Sequence, residues 1–100
     1  MTLRILEEAE RELREASLYY ENRQQGLGTR FLERVQRTLL EIGGDPQRFP
    51  AYEGKRVARR FRRARGPRFP YVVVFYSRDD EVVIVAVAHT SRRPGYWRNR

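Results

Sequence analysis

Arginine is concentrated in one short stretch of the chain, residues 59–68, where six of ten residues carry a guanidinium group. This group is planar and permanently charged, and its donors match the oxygens of a phosphate or a carboxylate. The stretch leads directly into the apolar segment YVVVFY at 71–76. The cluster is therefore a solvated edge, a phosphate-binding face or a docking face for an acidic partner, and the residue types leave all three open.

Groups that could move a proton are few. Histidine has an unperturbed pKa of about 6.5, so His89 could act as acid or base near neutral pH. A lone histidine after a strand more often makes a supporting hydrogen bond, and this alternative stays open. Tyr96 and Trp97 could stack on nucleic-acid bases, although folding over the core is the favoured interpretation. The remaining candidates for proton transfer are Tyr71, Tyr76 and Glu53.

The composition is that of one small domain. The chain has 100 residues, 40% of them hydrophobic, which permits one modest core and predicts a single domain, 1–100. It has no cysteine and one histidine, so we expect no disulfide, metal or cofactor. No run approaches the roughly 18 apolar residues of a membrane span, and residues 1–12 lack the apolar stretch of a signal peptide. We expect a soluble, cytoplasmic protein with no membrane partner.

Charge is distributed unevenly along the chain. Residues 1–53 carry 8 basic and 10 acidic side chains, a net of −2, whereas residues 54–100 carry 13 basic and 3 acidic ones, a net of +10. The two sums give the overall charge of +8. Such asymmetry predicts a basic face and a polyanionic or acidic partner.

The first half has the periodicity of two helices. Apolar residues recur three and four positions apart from Leu6 to Tyr20, and acidic residues crowd the start of this segment, which predicts a helix ending near 22–25. A second helix, predicted to be capped by Thr29, carries an apolar stripe from Phe31 to Ile42 and stops at 43–46. The short glycine-containing turn between them predicts a helical hairpin.

The second half has the pattern of strands. Segments 71–76 and 82–88 are rich in β-branched and aromatic residues, and the turn residues between them predict a hairpin of central strands covered on both faces. Segment 55–64 can be a third strand at the sheet edge, and 3–5 a short first strand. The predicted class is α+β, ordered β-α-α-β-β-β, with the helical hairpin packed on a small, mainly antiparallel sheet.

Ordered segments along almost the whole chain carry a family resemblance. They are ASLYYE at 16–21, GLG at 26–28, FL at 31–32, Pro46 with FP at 49–50, RFPYVVVFY at 68–76 and AVAHTSRRPGYW at 86–97. In this set the chain resembles the RelE/ParE superfamily of small toxins from type II toxin–antitoxin modules, in particular the ParE-like plasmid stabilisation branch. The fold of that superfamily agrees with the order of elements predicted above.

The resemblance implies a growth-inhibiting toxin that a cognate antitoxin neutralises, and a hetero-oligomer of the two is expected. ParE-like members inhibit DNA gyrase, which makes gyrase the expected target. RelE-like members cleave mRNA on the ribosome, and this endoribonuclease activity is the alternative. A non-toxic relic that serves only as a binding module is the third possibility.

Each alternative assigns different roles to the same residues. Cleavage of RNA through its 2′-OH needs a base, an acid and cations that stabilise the phosphorane, for which the candidates are His89, Tyr96, Arg92 and Arg68. A gyrase binder needs only a surface. The residues expected to contact the antitoxin or the target are Arg59, Arg60, Arg62, Arg63, Arg68, Arg78, Arg92, Arg93 and Trp97.

The helical hairpin adds an apolar candidate. Leu18, Tyr19 and Leu27 lie off the main stripes and are either ordinary edge residues or part of a groove for a helix of the antitoxin, whose contacting segment is expected to be acidic or amphipathic. Sequence-specific reading of DNA is not indicated, because the helices carry charges of both signs.

Overall fold

The computed structural model describes residues 2–52 and 59–100. Its elements are β1 (Thr2–Ile5), α1 (Glu7–Arg23), α2 (Leu27–Gly44), a 3₁₀ turn (Pro46–Arg48), β2 (Arg62–Arg65), β3 (Tyr71–Arg78) and β4 (Glu81–His89). This order confirms the predicted α+β class and the succession β-α-α-β-β-β.

The strands form one sheet in the order β1-β4-β3-β2. β1 runs parallel to β4, and the other two pairs are antiparallel. β3 and β4 lie in the centre, and residues 82–88 are all buried, as expected for strands covered on both faces. The arginine-rich segment supplies the edge strand β2, where charge discourages pairing with another sheet.

The predicted bounds of the third strand were wrong. β2 comprises only Arg62–Arg65, whereas the prediction placed the strand at 55–64. Residues 59–61 precede it without strand structure, and 55–58 lie outside the described residues. The ladder of β2 on β3 starts where Arg62 pairs with Phe75 and ends where Arg65 pairs with Val72, so β2 covers only part of β3.

The turn between the helices also differs from the prediction, because Thr29 does not cap α2. The helix begins at Leu27, directly after Gly26, whose φ of 86° suits glycine. The Glu21 carboxylate accepts hydrogen bonds from the backbone N–H groups of Gly26 (2.8 Å) and Gly28 (3.0 Å). A Cβ at Gly28 would lie 2.5 Å from the Ser17 carbonyl oxygen, so glycine permits the close contact of the helices. In residues 2–52 and 59–100, no helix is both long and apolar enough to cross a membrane.

The sheet has an apolar layer on each face. We call the face under the helices the helix side; there Phe31, Val35 and Ile42 of α2 pack against strand residues such as Val73 and Phe75. On the opposite face, the tail side, the layer is formed by strand residues together with loop and tail residues, chiefly Val74, Val83, Val85, Phe61 and Trp97. The tail that follows β4 is therefore part of the fold.

Candidate partner-binding surface at the end of the sheet

The end of β4 and the start of β3 bring His89 and the tail together with the loop between β2 and β3. Tyr71 pairs with His89 in the sheet, and the Thr90 N–H donates to the Pro70 carbonyl at 2.9 Å. The tail thus leaves the sheet beside the loop that carries Arg68. Two clefts meet at His89, and a third opens on the other side of the loop, at Arg68.

His89 is exposed, and its ring is held by Ser91. Its Nδ1 accepts hydrogen bonds from the Ser91 N–H at 3.0 Å and the Ser91 hydroxyl at 2.7 Å. Because a backbone N–H can only donate, Nδ1 is the acceptor, and the neutral ring carries its proton on Nε2. The Arg92 N–H also donates to the His89 carbonyl at 2.9 Å. This backbone bond and the imidazole together hold the turn that starts the tail.

The tail is anchored to α1 by Glu12. This carboxylate accepts hydrogen bonds from the Tyr96 hydroxyl (2.5 Å), the Arg100 guanidinium (2.9 Å) and the Val87 N–H (3.0 Å). Arg100 also donates to the Val85 carbonyl at 3.1 Å. Burial raises the pKa of Tyr96, and the hydrogen bond to Glu12 raises it further. We call this set of contacts the Glu12 clamp.

Sequence reasoning missed Glu12 and Arg100. A signal for Glu12 was available, because it lies three residues after Ala9 and four before Ala16, on the apolar face of α1. A carboxylate on such a face must find partners when the helix packs on the sheet. Its partners lie 75 to 88 residues away, and no local pattern indicates them.

Trp97 belongs to the tail-side layer. Its side chain is 3% exposed, and its ring lies 4.6 Å from that of Phe61 and 4.9 Å from that of Tyr52. The favoured interpretation, a tail folded over the core, is therefore correct for Trp97, and its alternative as a base-stacking platform is wrong for the buried ring. The neighbouring Tyr96 ring lies under the guanidinium groups of Arg92 (3.9 Å) and Arg100 (5.1 Å).

Two clefts meet at His89 and Arg92. The tail cleft, of 250 Å³, lies on the tail side and is lined by Arg63, Arg65 and Arg93 as well. The helix cleft, of 350 Å³, lies between α1 and the end of β4. It is lined by Glu12, Glu15, Ala16, Tyr19, Tyr20, Val87, His89, Ser91 and Arg92. The tail cleft is thus strongly basic, whereas the helix cleft has mixed charge.

The other predicted arginines are spread over three places. Arg59, Arg60 and Arg78 surround Tyr76 at the far end of β3, in a cleft of 330 Å³. Arg62 is partly buried and donates to the Phe49 carbonyl at 2.7 Å, so it braces the loop before β2. Arg68 lines neither cleft at His89 and instead faces α2 from the other side of the loop. The predicted cationic set does not converge on His89.

The remaining candidates for proton transfer have structural surroundings. Tyr71 is buried and shares a hydrogen bond of 3.3 Å with Thr38, and burial raises its pKa. Tyr76 is buried in the tail-side layer. Glu53 lies outside the described residues. Within the described ranges, no group of three or more His, Cys, Asp or Glu residues is placed to hold a metal ion.

The hairpin residues are exposed to different degrees. Leu18 is 63% and Tyr19 53% exposed, whereas Leu27 is half-buried at the start of α2. Tyr19 also lines the helix cleft, which brings an exposed aromatic ring to the edge of the arginine-lined end of the sheet. An apolar patch beside a basic cleft is the kind of surface that an amphipathic partner covers.

The fold and this basic end of the sheet define a small α+β domain of the ParE/RelE-like type. A solved structure described as the chromosomal ParDE TA system from P. aeruginosa superposes with a TM-score of 0.64 at 17% identity, over 91% of this chain and 97% of that chain. No curated protein matches the sequence. Residues 3–94 match the family described as the ParE toxin of the type II toxin–antitoxin system, parDE. The chain belongs to the ParE toxin family.

Proposed function

We propose that this ParE toxin inhibits growth by binding DNA gyrase through the tail cleft, and that a cognate antitoxin neutralises it by covering the same surface. The family match supports the toxin part of this proposal. The exposed arginines Arg63, Arg65, Arg92 and Arg93 supply a cationic contact surface that the fold presents without further rearrangement.

The observation that supports binding rather than catalysis is the hydrogen bonding of the His89 ring. Its Nδ1 accepts a hydrogen bond from the Ser91 N–H, and a proton taken up at that nitrogen would break this bond. The Tyr96 hydroxyl donates to Glu12, and its raised pKa keeps it protonated near neutral pH, so it cannot accept a proton there. Neither the Nδ1 of His89 nor the Tyr96 hydroxyl is therefore free to act as the base that cleavage of RNA needs.

The antitoxin contact follows from charge and exposure. An acidic, amphipathic segment would place carboxylates against Arg92 and Arg93 and apolar side chains against Leu18 and Tyr19. Charge-assisted pairs of this kind also steer association, so binding should weaken with rising salt. The product is a toxin–antitoxin hetero-oligomer.

Two parallel assays of the purified chain test the proposal: inhibition of gyrase supercoiling, and cleavage of message on translating ribosomes. We expect loss of supercoiling with intact message. Arg92→Ala should abolish that inhibition, whereas Arg98→Ala, an exposed tail arginine that does not line the tail cleft, should leave it unchanged. Supercoiling that persists at saturating protein would refute gyrase as the target.

The endoribonuclease alternative has one observation in its favour, since His89 lies between arginines in the tail cleft. It requires message cleavage that His89→Ala removes and Ser91→Ala alters. If the chain neither inhibits gyrase nor cleaves message, but still binds the antitoxin, it is a non-toxic binding module.

A further inference from the structure

A second basic surface lies on α2, away from His89. Arg30, Arg34 and Arg37 recur at i, i+4 and i+7 and therefore lie along one face of the helix. Together with Arg68, from the loop between β2 and β3, they line a cleft of 460 Å³, which we call the α2 cleft. Sequence reasoning singled out Arg68 but not the three helical arginines.

The guanidinium groups of this cleft are available to a ligand. In residues 2–52 and 59–100, none of the four lies within 4.0 Å of a carboxylate oxygen, and Arg30, Arg37 and Arg68 are exposed. Glu33 is the one acidic residue lining the cleft, which leaves a net charge of +3 from four arginines and one glutamate. Glu41, one turn beyond Arg37, is already paired with Arg48 at 2.9 Å.

The backbone of Arg68 is held in an unfavourable conformation. Its φ of 71° lies in the left-handed region, which non-glycine residues seldom adopt. Such a conformation persists only where the surroundings enforce it, and it occurs often at ligand-binding sites. Here Phe69, the next residue, packs against the helix-side layer and fixes the loop against α2.

We propose that the α2 cleft binds the phosphate backbone of duplex DNA. From Arg30 to Arg37, seven residue steps, the helix rises about 10 Å. Each strand of duplex DNA carries one charge per about 3.4 Å of the axis, so this length matches about three phosphates of one strand. Guanidinium forks on a rigid helix are suited to such contacts, which position a protein without reading sequence.

The surroundings of the arginines favour a duplex over a single strand. Single strands are bound by stacking bases on exposed aromatic rings. The aromatic residues of this cleft, Tyr20 and Phe69, are packed on each other at 4.9 Å and on Phe31 at 5.1 and 5.3 Å. These rings pack on one another and are only partly exposed, whereas contacts to a duplex backbone need the cations alone.

The same packing argues against an acidic helix as the occupant. A helix that docks in a groove buries its apolar face there. The apolar residues at this cleft, Tyr20, Leu27 and Phe69, are already partly buried, and the exposed Leu18 does not line it. A net charge of +3 beside apolar side chains that are only partly exposed favours a polyanion over an amphipathic helix.

This proposal does not depend on gyrase as the target, since DNA binding is measured on the chain alone. The probe is a fluorescently labelled duplex of about 20 base pairs and mixed sequence, with fluorescence anisotropy recorded between 50 and 200 mM NaCl. The test variant is Arg30→Gln/Arg34→Gln/Arg37→Gln. Its matched control, Arg11→Gln/Arg14→Gln/Arg23→Gln, removes three exposed arginines from α1 and the same charge.

Each phosphate contact contributes about 0.9 to the slope of log affinity against log salt, so loss of three contacts lowers the slope by about 2.7. Between 50 and 200 mM NaCl the parent should then lose about 40-fold more affinity than the test variant. The control should keep the slope of the parent, and melting followed by circular dichroism should show that both variants are folded.

Four outcomes would overturn the proposal. The first is absence of duplex binding at 50 mM NaCl, and the second is an equal loss of slope in the two variants. The third is that a single strand binds as tightly as the duplex. The fourth is that the test variant no longer binds a labelled polyglutamate peptide but still binds the duplex. The last outcome would assign the cleft to an acidic protein segment.

Discussion

The two faces of the sheet are closed in different ways. On the helix side, apolar residues of both helices cover the strands over the length of the hairpin, and no single contact dominates. On the tail side, Phe61 and Trp97 complete a smaller apolar layer of strand residues, and the Glu12 clamp holds the tail across the edge of the sheet. Both faces bury apolar side chains, but two helices cover the first, whereas the position of the tail over the second also depends on a few polar contacts. The exposed arginines Arg92 and Arg93 lie on the segment that those few contacts hold.

The largest effect is expected on the helix side. Phe31→Ala should lower the free energy of unfolding by about 3–5 kcal/mol, because the ring is 1% exposed and touches three other aromatic rings. Urea unfolding followed by circular dichroism measures the loss, which should appear equally in every probe. Leu32→Ala, at a position 37% exposed, is the control and should cost much less. Equal costs for the two variants would contradict the assigned core.

A smaller and more local effect is expected at the clamp. Glu12→Ala removes the acceptor shared by Tyr96, Arg100 and the Val87 N–H, and should cost about 2–3 kcal/mol. The tail should loosen before the helices unfold, which the fluorescence of the single tryptophan, Trp97, reports separately from helical circular dichroism. Glu15→Ala, an exposed neighbour on α1, should change both signals little. One common transition in Glu12→Ala would show that tail and helices unfold together.

The hydroxyl of Tyr96 should contribute about 1–2 kcal/mol, lost in Tyr96→Phe. Because burial and Glu12 raise the pKa of Tyr96 in the folded state, the folded protein disfavours the tyrosinate. This contribution is fully present below the unfolded pKa of about 10 and is lost as the pH rises through the higher folded value. Stability should therefore fall less steeply above pH 10 in Tyr96→Phe than in the parent. If stability falls equally steeply with pH in Tyr96→Phe and in the parent, the raised pKa of Tyr96 does not contribute to stability.

The smallest effect on stability is expected at Arg92. Its guanidinium lies over the Tyr96 ring at 3.9 Å but is exposed, so Arg92→Ala should cost at most about 1 kcal/mol. The same change should abolish inhibition of gyrase if the tail cleft is the contact surface. A loss of stability as large as that of Glu12→Ala would mean that Arg92 holds the tail.

The helix-side layer was predictable because its signals are local. Spacing of apolar residues located both helices, and the β-branched runs located β3 and β4. The basic edge strand was also predicted, although its bounds, Arg62–Arg65, differ from the predicted 55–64. The cap of α2 was assigned to Thr29 because a hydroxyl at a helix start is common, whereas Glu21 from the preceding helix supplies the acceptor.

The candidate site was less accessible to sequence reasoning. Residue types identified the arginines, His89 and the tail, but three-dimensional packing decides which of them share a cleft. Arg68 and Arg92 belong to different clefts, although both were assigned to one site. The clamp escaped prediction because Glu12 and Arg100 come from opposite ends of the described chain.

The two glutamates of α1 also differ in when they can act during folding. Glu21 closes loops of 5 and 7 residues, whereas Glu12 closes loops of 75 to 88. On the loop-closure relation, moving from about 7 to about 84 residues adds about 2 kcal/mol of entropic cost. The helical hairpin can therefore assemble on a fast, local timescale, and the clamp forms only after the sheet has brought the distant segments together. The arginine-bearing tail reaches its final position as a late event in folding.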